Sequence, residues 1–288
     1  MPAITQRPGA VKAGGILKPM SKRNRRNAGN PQGSRDRDAS PHRSGRPSKS
    51  ALAAAKGWIW GWHTVTAALA NPERPSPQKL LSLSPPDERW AADWPQPQIV
   101  ERPELDAHLP KGAVHQGLAA LYPPPDGESA DTLLARPDKP LVVLDQITDP
   151  QNIGAIFRSA AAFGAGGLIV QDRHTPEFSG ALAKAAVGTL DTLPFARVTN
   201  ISRTLDAARD QGWRVIGLAG ESDGEIADIL DARPTILVMG SEGKGLRRLV
   251  TEHCDVLARI PMAANVESLN VSVAAGIALY ALAQHRRP

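Results

Sequence analysis

The second half of the chain follows one regular pattern. From Pro140 onward, short apolar runs alternate with segments whose apolar residues recur at helical spacing. Continuous apolar runs are typical of strands buried on both faces, and strands that alternate with helices form parallel sheets. The pattern predicts strands at 141–144, 167–170, 214–218, 235–239 and 256–260, and helices at about 152–163, 179–187, 201–211, 245–253 and 268–286. We therefore expect an α/β fold whose parallel sheet is covered by helices on both faces.

The residues before this pattern divide into three parts. Residues 1–55 are rich in Gly, Pro, Ser and Arg and poor in large apolar side chains, so we predict a disordered tail. Residues 56–122 predict a small α/β domain, and the proline-rich interval 123–139 predicts a linker to a catalytic domain at 140–288. Within the small domain the expected strands are 58–60, 79–83, 98–100 and 116–122, and the expected helices are 62–70, 87–93 and 103–108.

The positive charge of the chain is concentrated in this tail. Residues 1–50 contain 12 basic and 2 acidic side chains, whereas the rest contains 22 basic and 27 acidic ones. A basic arm binds polyanions such as RNA by releasing counterions, but it also serves simply as a solvated extension. An Arg-rich organelle transit peptide is disfavoured because proline and glycine interrupt any amphipathic helix.

Composition also narrows the compartment and the type of site. The single cysteine, Cys254, excludes an internal disulfide and a zinc site built from several cysteines, and it indicates a reducing compartment. No stretch approaches about 18 consecutive apolar residues, so we predict no membrane span. The expectation is a cytoplasmic protein with an inert thiol and no metal site.

Small and polar residues follow three of the predicted strands, at the edge of a parallel sheet where ligands bind. The first such run, Asp149 to Gly154, leads into a helix that carries Arg158. Asn152 stands where a helix N-cap is expected, which is a purely structural role. Gly154 allows close backbone packing, and Arg158 lies among Ala, Ile and Phe, which favours a role beyond simple solvation.

The second run is Met239-Gly-Ser-Glu-Gly-Lys-Gly245. Its glycine spacing matches neither a phosphate-binding loop nor a dinucleotide fingerprint. The glycines expose backbone N–H and C=O groups to a ligand, or they form a tight turn. A turn alone does not explain Glu242.

The third run extends from Ile260 through Met262 to Ser272. We predict Ser268 as the cap of the last helix. Asn270 is a poor helix former for the first turn, which suggests another task. Each run by itself is compatible with an ordinary turn or capped helix.

Together, and in this order, the three runs resemble the SpoU (TrmH-type) family of RNA ribose 2′-O-methyltransferases. Asn152-x-Gly154-x-x-x-Arg158 resembles the first motif, Gly240 to Gly243 the second, and Ile260 to Met262 with Ser268 to Val271 the third. The runs Gly61 to His63 and Gly112 to Gly117 are similar to the small domain of members that methylate a guanosine of 23S ribosomal RNA. Lys184 to Thr189 departs from the family, which often has Gly-Ala where this chain has Gly188-Thr189.

The resemblance implies a fold and a set of partners. It implies a trefoil knot near the C-terminus, a small domain similar to ribosomal L30e-type RNA-binding proteins, and a homodimer with the site near its interface. The cofactor would be S-adenosyl-L-methionine and the substrate RNA. Cofactor contacts would come from Gly240, Ile260 and Leu269, with Leu218, Ala219 and Met262 lining the pocket; the catalytic group would be Arg158, Asn152, Glu242, Ser268 and Asn270.

The implied reaction is methyl transfer to a ribose 2′-hydroxyl, with a guanosine of 23S ribosomal RNA as the expected target. Arg158 would either accept the proton or bind the adjacent phosphate, since a guanidinium holds its proton up to a pKa above about 12. The alternatives are a transfer RNA methyltransferase, a resistance enzyme that modifies an adenosine of ribosomal RNA, and a noncatalytic protein that binds ribosomal RNA or assists ribosome assembly. The presence of Arg158, Glu242 and Asn270 argues against the last.

Overall fold

The computed structural model describes residues 56–263, 266 and 268–286. The tail predicted to be disordered, 1–55, lies outside the described residues. Among the helices that the structure describes, none combines the length and apolar character needed to cross a bilayer.

A small mixed sheet begins the described part of the chain. Its strands are β1 Trp58–Trp60, β2 Lys79–Ser82, β3 Gln98–Ile99 and β4 Leu118–Leu121, in the order β1-β4-β2-β3. Helix α1 Trp62–Ala70 follows β1, and helix α2 Arg102–Ala107 precedes β4. The helix predicted at 87–93 was wrong, since this segment consists of turns. There Asp87 caps a turn by accepting from Arg89 N (3.0 Å), and Trp90 N bonds back to Asp87 O (3.0 Å).

A six-stranded parallel sheet forms the larger part. Its strands are β5 Leu141–Leu144, β6 Gly167–Gln171, β7 Phe195–Val198, β8 Arg214–Leu218, β9 Thr235–Met239 and β10 Val256–Ala258. The strand order is β10-β8-β9-β5-β6-β7, with every neighbouring pair parallel. The predicted α/β class with a parallel sheet is confirmed. Sequence reasoning missed β7, because Arg197 interrupts its apolar run.

Helices cover both faces of this sheet, as the apolar strands require. They are α3 Ala130–Leu134, α4 Pro150–Ala162, α5 Gly180–Ala186, α6 Ile201–Asp210, α7 Ile226–Ile229, α8 Arg248–Glu252 and α9 Val271–His285, with a short 3-10 helix at Thr189–Asp191. Val142 and Leu144 face a core shared with α4, α5 and α9. Leu141 and Val143 face a second core shared with α3, α6 and Val250 of α8.

The interval 123–139, predicted as a linker, contains helix α3. Ser129 caps this helix by accepting from Thr132 N, and Leu133 and Leu134 are buried in the core of the large sheet. This interval is therefore packed over its second half. The domain boundaries themselves stay a prediction.

The small sheet and the large sheet share one continuous apolar core. Ile59 and Val65 of the small part lie in the same buried cluster as Leu182 and Ala186 of α5. At this junction Arg74 forms an ion pair with Asp191 (Nε–Oδ1 2.7 Å), and both side chains are at most 5% exposed. Burial raises the pKa of Asp191, while Arg74 and a hydrogen bond from Asn71 Nδ2 oppose that rise. The contacts bind the two sheets into one body.

Candidate active site

Three loops meet at the carboxyl ends of neighbouring strands. β8 lies between β10 and β9 in the sheet, so the residues that follow these strands share one edge. Leu218 ends β8 and Ala219 follows it, while Gly240 follows β9 directly. Ile260 lies two residues beyond β10. The predicted cofactor residues from all three strands therefore reach the same edge.

The loop after β9 is a tight, self-paired turn. Ser241 N donates to Gly245 O (3.1 Å) and Gly245 N donates to Ser241 O (2.9 Å). A Cβ on Gly240 would lie 2.2 Å from the carbonyl carbon of Gly245, so only glycine fits there. Gly243 has φ +76° and Gly245 has φ +63°, which side-chain-bearing residues seldom adopt. The turn presents Glu242 to solvent beside the sheet edge.

A buried ion pair, which the sequence analysis missed, anchors this turn. Asp145 directly follows β5 and is fully buried. Its Oδ1 accepts from Arg247 Nε (2.7 Å) and pairs with Arg247 Nη2 (2.6 Å), while its Oδ2 accepts from the Arg247 backbone N–H (2.9 Å). A charged residue immediately after an apolar strand was the available signal. The pair holds the end of the Glu242 turn against β5.

Helix α4 brings Asn152 to the turn, but not as a cap. The cap is Asp149, whose Oδ1 accepts from Gln151 N (2.9 Å), because Pro150 already begins the helix. The cap role considered for Asn152 was wrong, and its buried side chain instead donates to Glu242 Oε1 (3.1 Å). The close packing expected at Gly154 is confirmed, since a Cβ there would lie 2.6 Å from Ala185 Cβ and from Leu182 O.

Asn270 completes a triangle of polar side chains. Its Nδ2 donates to Glu242 Oε1 (2.6 Å) and to Asn152 Oδ1 (2.9 Å). Its Oδ1 caps α9 by accepting from Ser272 N (2.9 Å) and Val273 N (3.3 Å). The cap predicted at Ser268 was therefore wrong, because α9 begins three residues later than expected. Residues separated by 28 to 118 positions in the chain are joined by these bonds.

Arg158 lies in a cleft next to this triangle. The cleft, of about 680 Å³, runs between α4 and α9 and is lined by Arg158, Ser159, Ser272 and Tyr280 among others. Ser272 links the cleft to the triangle, since its Oγ donates to Asn270 Oδ1 (2.5 Å). Arg158 is exposed, and it forms no ion pair or hydrogen bond with the residues that the structure describes. Its guanidinium is thus available to an anionic ligand.

The remaining predicted site residues lie on the segment between β10 and α9. Met262 and Ser268 are exposed, and Leu269 is half-buried. No side-chain hydrogen bond joins Ser268 to the described members of the triangle. Ala264, Asn265 and Glu267 of the third motif lie outside the described residues.

Cys254 is half-buried against the core that contains Val250. Its Sγ donates to Val250 O (3.3 Å). Burial, with smaller contributions from Asp255 and Asp145, raises the pKa of the thiol to about 12. A thiol with such a pKa stays protonated at neutral pH, so it is a poor nucleophile and metal ligand.

Comparison with known proteins decides the family. Residues 139–280 match the family model described as the SpoU rRNA Methylase family. A 23S rRNA (guanosine-2'-O-)-methyltransferase RlmB from Pseudomonas syringae pv. tomato is 44% identical over 246 residues, which are 79% of this chain and 95% of the relative. The chain belongs to the SpoU rRNA methylase family. The resemblance carried by the three motifs is confirmed.

Other relatives cover less of this chain or are less similar to it in sequence. A protein of Mycobacterium sp. (strain KMS) described as an uncharacterized tRNA/rRNA methyltransferase is 43% identical over 193 residues, 65% of this chain. The chain spans about three fifths (61%) of the length of that relative. The fold is similar to the crystal structure of the SpoU methyltransferase AviRb from Streptomyces viridochromogenes in complex with AdoMet, with a TM-score of 0.66 and 29% sequence identity. The aligned part covers 80% of this chain and 89% of AviRb.

The departure from the SpoU pattern at Thr189 is accommodated locally. Thr189 Oγ1 donates to Ala186 O (2.7 Å), and Thr189 begins the short 3-10 helix that follows α5. The hydroxyl therefore satisfies a carbonyl at the end of α5. It leaves the contact of Gly154 with α5 intact.

Proposed function

We propose that this chain transfers a methyl group from S-adenosyl-L-methionine to a ribose 2′-hydroxyl of ribosomal RNA, with a guanosine of 23S RNA as target. The observation that carries the proposal is the Asn152–Glu242–Asn270 triangle beside the exposed Arg158, at the edge where three loops meet. The RlmB relative supports the substrate by its name, and AviRb supports the cofactor because it was crystallised with AdoMet.

Backbone groups at the sheet edge suit such a cofactor. No hydrogen bond to another described residue uses the backbone N–H of Gly240, Ile260 or Leu269. A methyl donor with an adenine ring and a carboxylate needs donors of this kind. Leu218, Ala219 and Met262 would supply apolar contact. When bound, the cofactor supplies an activated methyl group, and the protein supplies position.

The side chains of this site would orient the ribose and its phosphate. Glu242 is held in place by two amides, so its position is fixed before a substrate arrives. Arg158 would bind the phosphate next to the target ribose and stabilise the negative charge that develops on the 2′-oxygen. Holding the hydroxyl in line with the methyl group replaces a bimolecular encounter by a nearly unimolecular step.

Replacement of Arg158 tests the proposal. We expect Arg158→Ala to lower kcat for ribosomal RNA methylation by roughly a thousandfold or more, because one positioned charge-stabilising group contributes about that much. Calorimetry should show that Arg158→Ala binds S-adenosylmethionine with the same Kd as the wild-type protein. Ser159→Ala, in the same cleft, is the matched control and should retain turnover.

Two outcomes would contradict the assignment. If Arg158→Ala turns over at the wild-type rate, Arg158 does not take part in methyl transfer. Absence of any methylation by the wild-type protein, with heat of cofactor binding also absent, would favour a noncatalytic RNA-binding protein. Mapping of 2′-O-methyl groups after reaction with ribosomal RNA and with transfer RNA in parallel distinguishes the two substrates.

The rest of the assembly follows the same proposal. Residues 56–122 would be an L30e-like RNA-binding domain, and the segment from β8 to α9 would form the trefoil knot. Within this segment, Ala219, which follows β8, donates its N–H to Ala258 O (2.9 Å), and Ile226, which begins α7, donates its N–H to Arg259 O (2.9 Å).

The exposed apolar side of α9 would be the homodimer interface. Val273, Ile277 and Tyr280 are 50%, 39% and 52% exposed and share one side of the helix. A patch of large apolar side chains at helical spacing is typical of a protein interface. Because Val273 and Tyr280 also line the Arg158 cleft, a second copy would border the active site.

A further inference from the structure

Helix α5 connects the catalytic cleft to the small sheet. Ala185 lines the cleft that contains Arg158. The preceding residue, Lys184, extends instead to the small sheet, where its Nζ donates to Gln116 Oε1 (3.2 Å). Two consecutive residues therefore face the cleft and the junction between the two sheets.

Among the residues that the structure describes, none supplies a countercharge to the Lys184 ammonium. No carboxylate of the described residues lies within salt-bridge distance of its Nζ. An ammonium has three donor hydrogens, and Gln116 accepts one of them. Partial burial lowers the pKa of Lys184. A half-buried cation with spare donors and no acidic partner is suited to an external anion.

Gly61, which directly follows β1, lies next to this ammonium, since a Cβ built on it would contact Lys184 Nζ. Its φ of +89° is a backbone conformation that favours glycine. Gln116 adopts φ +54°, a conformation uncommon outside glycine, and its Oε1 also accepts from Trp62 N (3.1 Å). Backbone conformations of this kind are concentrated at functional sites.

Another cation, Arg89, lies beside Trp62, whose backbone N–H donates to Gln116. The Arg89 guanidinium stacks over the Trp62 ring at 4.2 Å, while it also pairs with Asp87. The Arg89 side chain is 63% exposed. Arg89 thus lies over the Trp62 ring, whereas Lys184 lies next to Gly61, the residue before Trp62. Of the two cations, only Lys184 lacks a carboxylate partner among the described residues.

We infer that Lys184 binds a backbone phosphate of the substrate RNA at the junction between the small sheet and the catalytic cleft. The inference rests on the proposed function, since it assumes an RNA substrate. A phosphate oxygen would accept the spare ammonium hydrogens, while Gln116 keeps the side chain in place. The RNA strand would then be held on one side by Lys184 and on the other by Arg158.

Charge removal at this position tests the inference. Lys184→Gln keeps a donor for Gln116 but removes the charge, and Lys184→Arg keeps the charge. We expect Lys184→Gln to reduce the slope of log Kd against log salt concentration for an RNA fragment by about 0.7–0.9, the contribution of one phosphate contact. Lys184→Arg should restore most of the slope, and Lys139→Gln, which neutralises an exposed lysine before β5, should leave it unchanged.

Further readouts separate a phosphate contact from a merely structural tie. For a phosphate contact, Lys184→Gln raises KM for RNA more than it lowers kcat, and the melting temperature and the Kd for S-adenosylmethionine stay at wild-type values. If Lys184→Gln leaves the salt slope at the wild-type value, the inference is overturned. If that unchanged slope is accompanied by a lowered melting temperature, Lys184 is a structural link between the two sheets. Methylation by the wild-type protein reports on the proposed function separately.

Discussion

Asp145 is the residue whose burial most directly controls the site. Its carboxylate is fully buried and is contacted by three nitrogens of Arg247. One is the backbone N–H, and the other two belong to the guanidinium. A buried carboxylate without its cation is strongly destabilising, whereas Arg247 is 38% exposed and can be rehydrated. The two partners are therefore unequal.

We expect Arg247→Ala to lower the free energy of unfolding by about 3 kcal/mol, because it leaves Asp145 charged and buried. Asp145→Ala should cost less, since the freed Arg247 turns toward water. Urea denaturation of both variants measures the difference. A smaller loss for Arg247→Ala than for Asp145→Ala would contradict this account of the pair.

At this scale, the sequence predicts which residues matter better than how they interact. Asn152, Glu242 and Asn270 were selected through the motif resemblance, and the structure joins them by hydrogen bonds. Their contacts could not be read from the sequence, because each pair is separated by at least 28 residues. Asp145 was overlooked because one acidic residue after a strand has no periodicity to mark it.

Helix α4 shows how one element carries both a stabilising end and a functional side. Asp149 caps its first turn, Asn152 points to Glu242, Gly154 contacts α5, and Arg158 lines the cleft. Residues that differ by three or four positions lie near one another on a helix. The position of the cap thus sets which residues of α4 face the site.

Substitution of the cap should affect stability before it affects chemistry. We expect Asp149→Ala to lower the free energy of unfolding by about 1 kcal/mol, and Asp149→Asn to recover most of it, because asparagine caps nearly as well. Kd for S-adenosylmethionine should change little. If Asn152→Ala instead caused the cap-sized loss while Asp149→Ala caused none, the assignment of the cap would be wrong.

Most strands and helices were predicted from the spacing of apolar residues in the sequence, and the exceptions have physical causes. Five of the six strands of the large sheet were predicted from their apolar runs, whereas β7 contains Arg197, whose guanidinium stacks on Phe178 at 4.3 Å. A charge satisfied by an aromatic face is invisible in the sequence pattern. The helix predicted at 87–93 failed because Asp87 and its neighbours bond locally into turns.

For the whole molecule, the exposed apolar side of α9 predicts association. We expect the wild-type chain to sediment as a dimer and Ile277→Glu to sediment as a monomer, because the introduced carboxylate would be buried without a partner. Leu249→Glu is the matched control, since Leu249 is also a large exposed apolar residue (56%) but lies on α8. Analytical ultracentrifugation measures all three, and a dimeric Ile277→Glu would refute this interface.

The buried Arg74–Asp191 pair and the shared core leave the small sheet little freedom to rotate against α5. With RNA bound at both Lys184 and Arg158, this rigid arrangement would fix the distance between the two RNA contacts. A nucleotide would reach Arg158 only when it lies at one fixed distance from the RNA element bound at the small sheet. Selection would depend on the three-dimensional spacing of a folded RNA, so a correct local sequence at the wrong span would go unmodified.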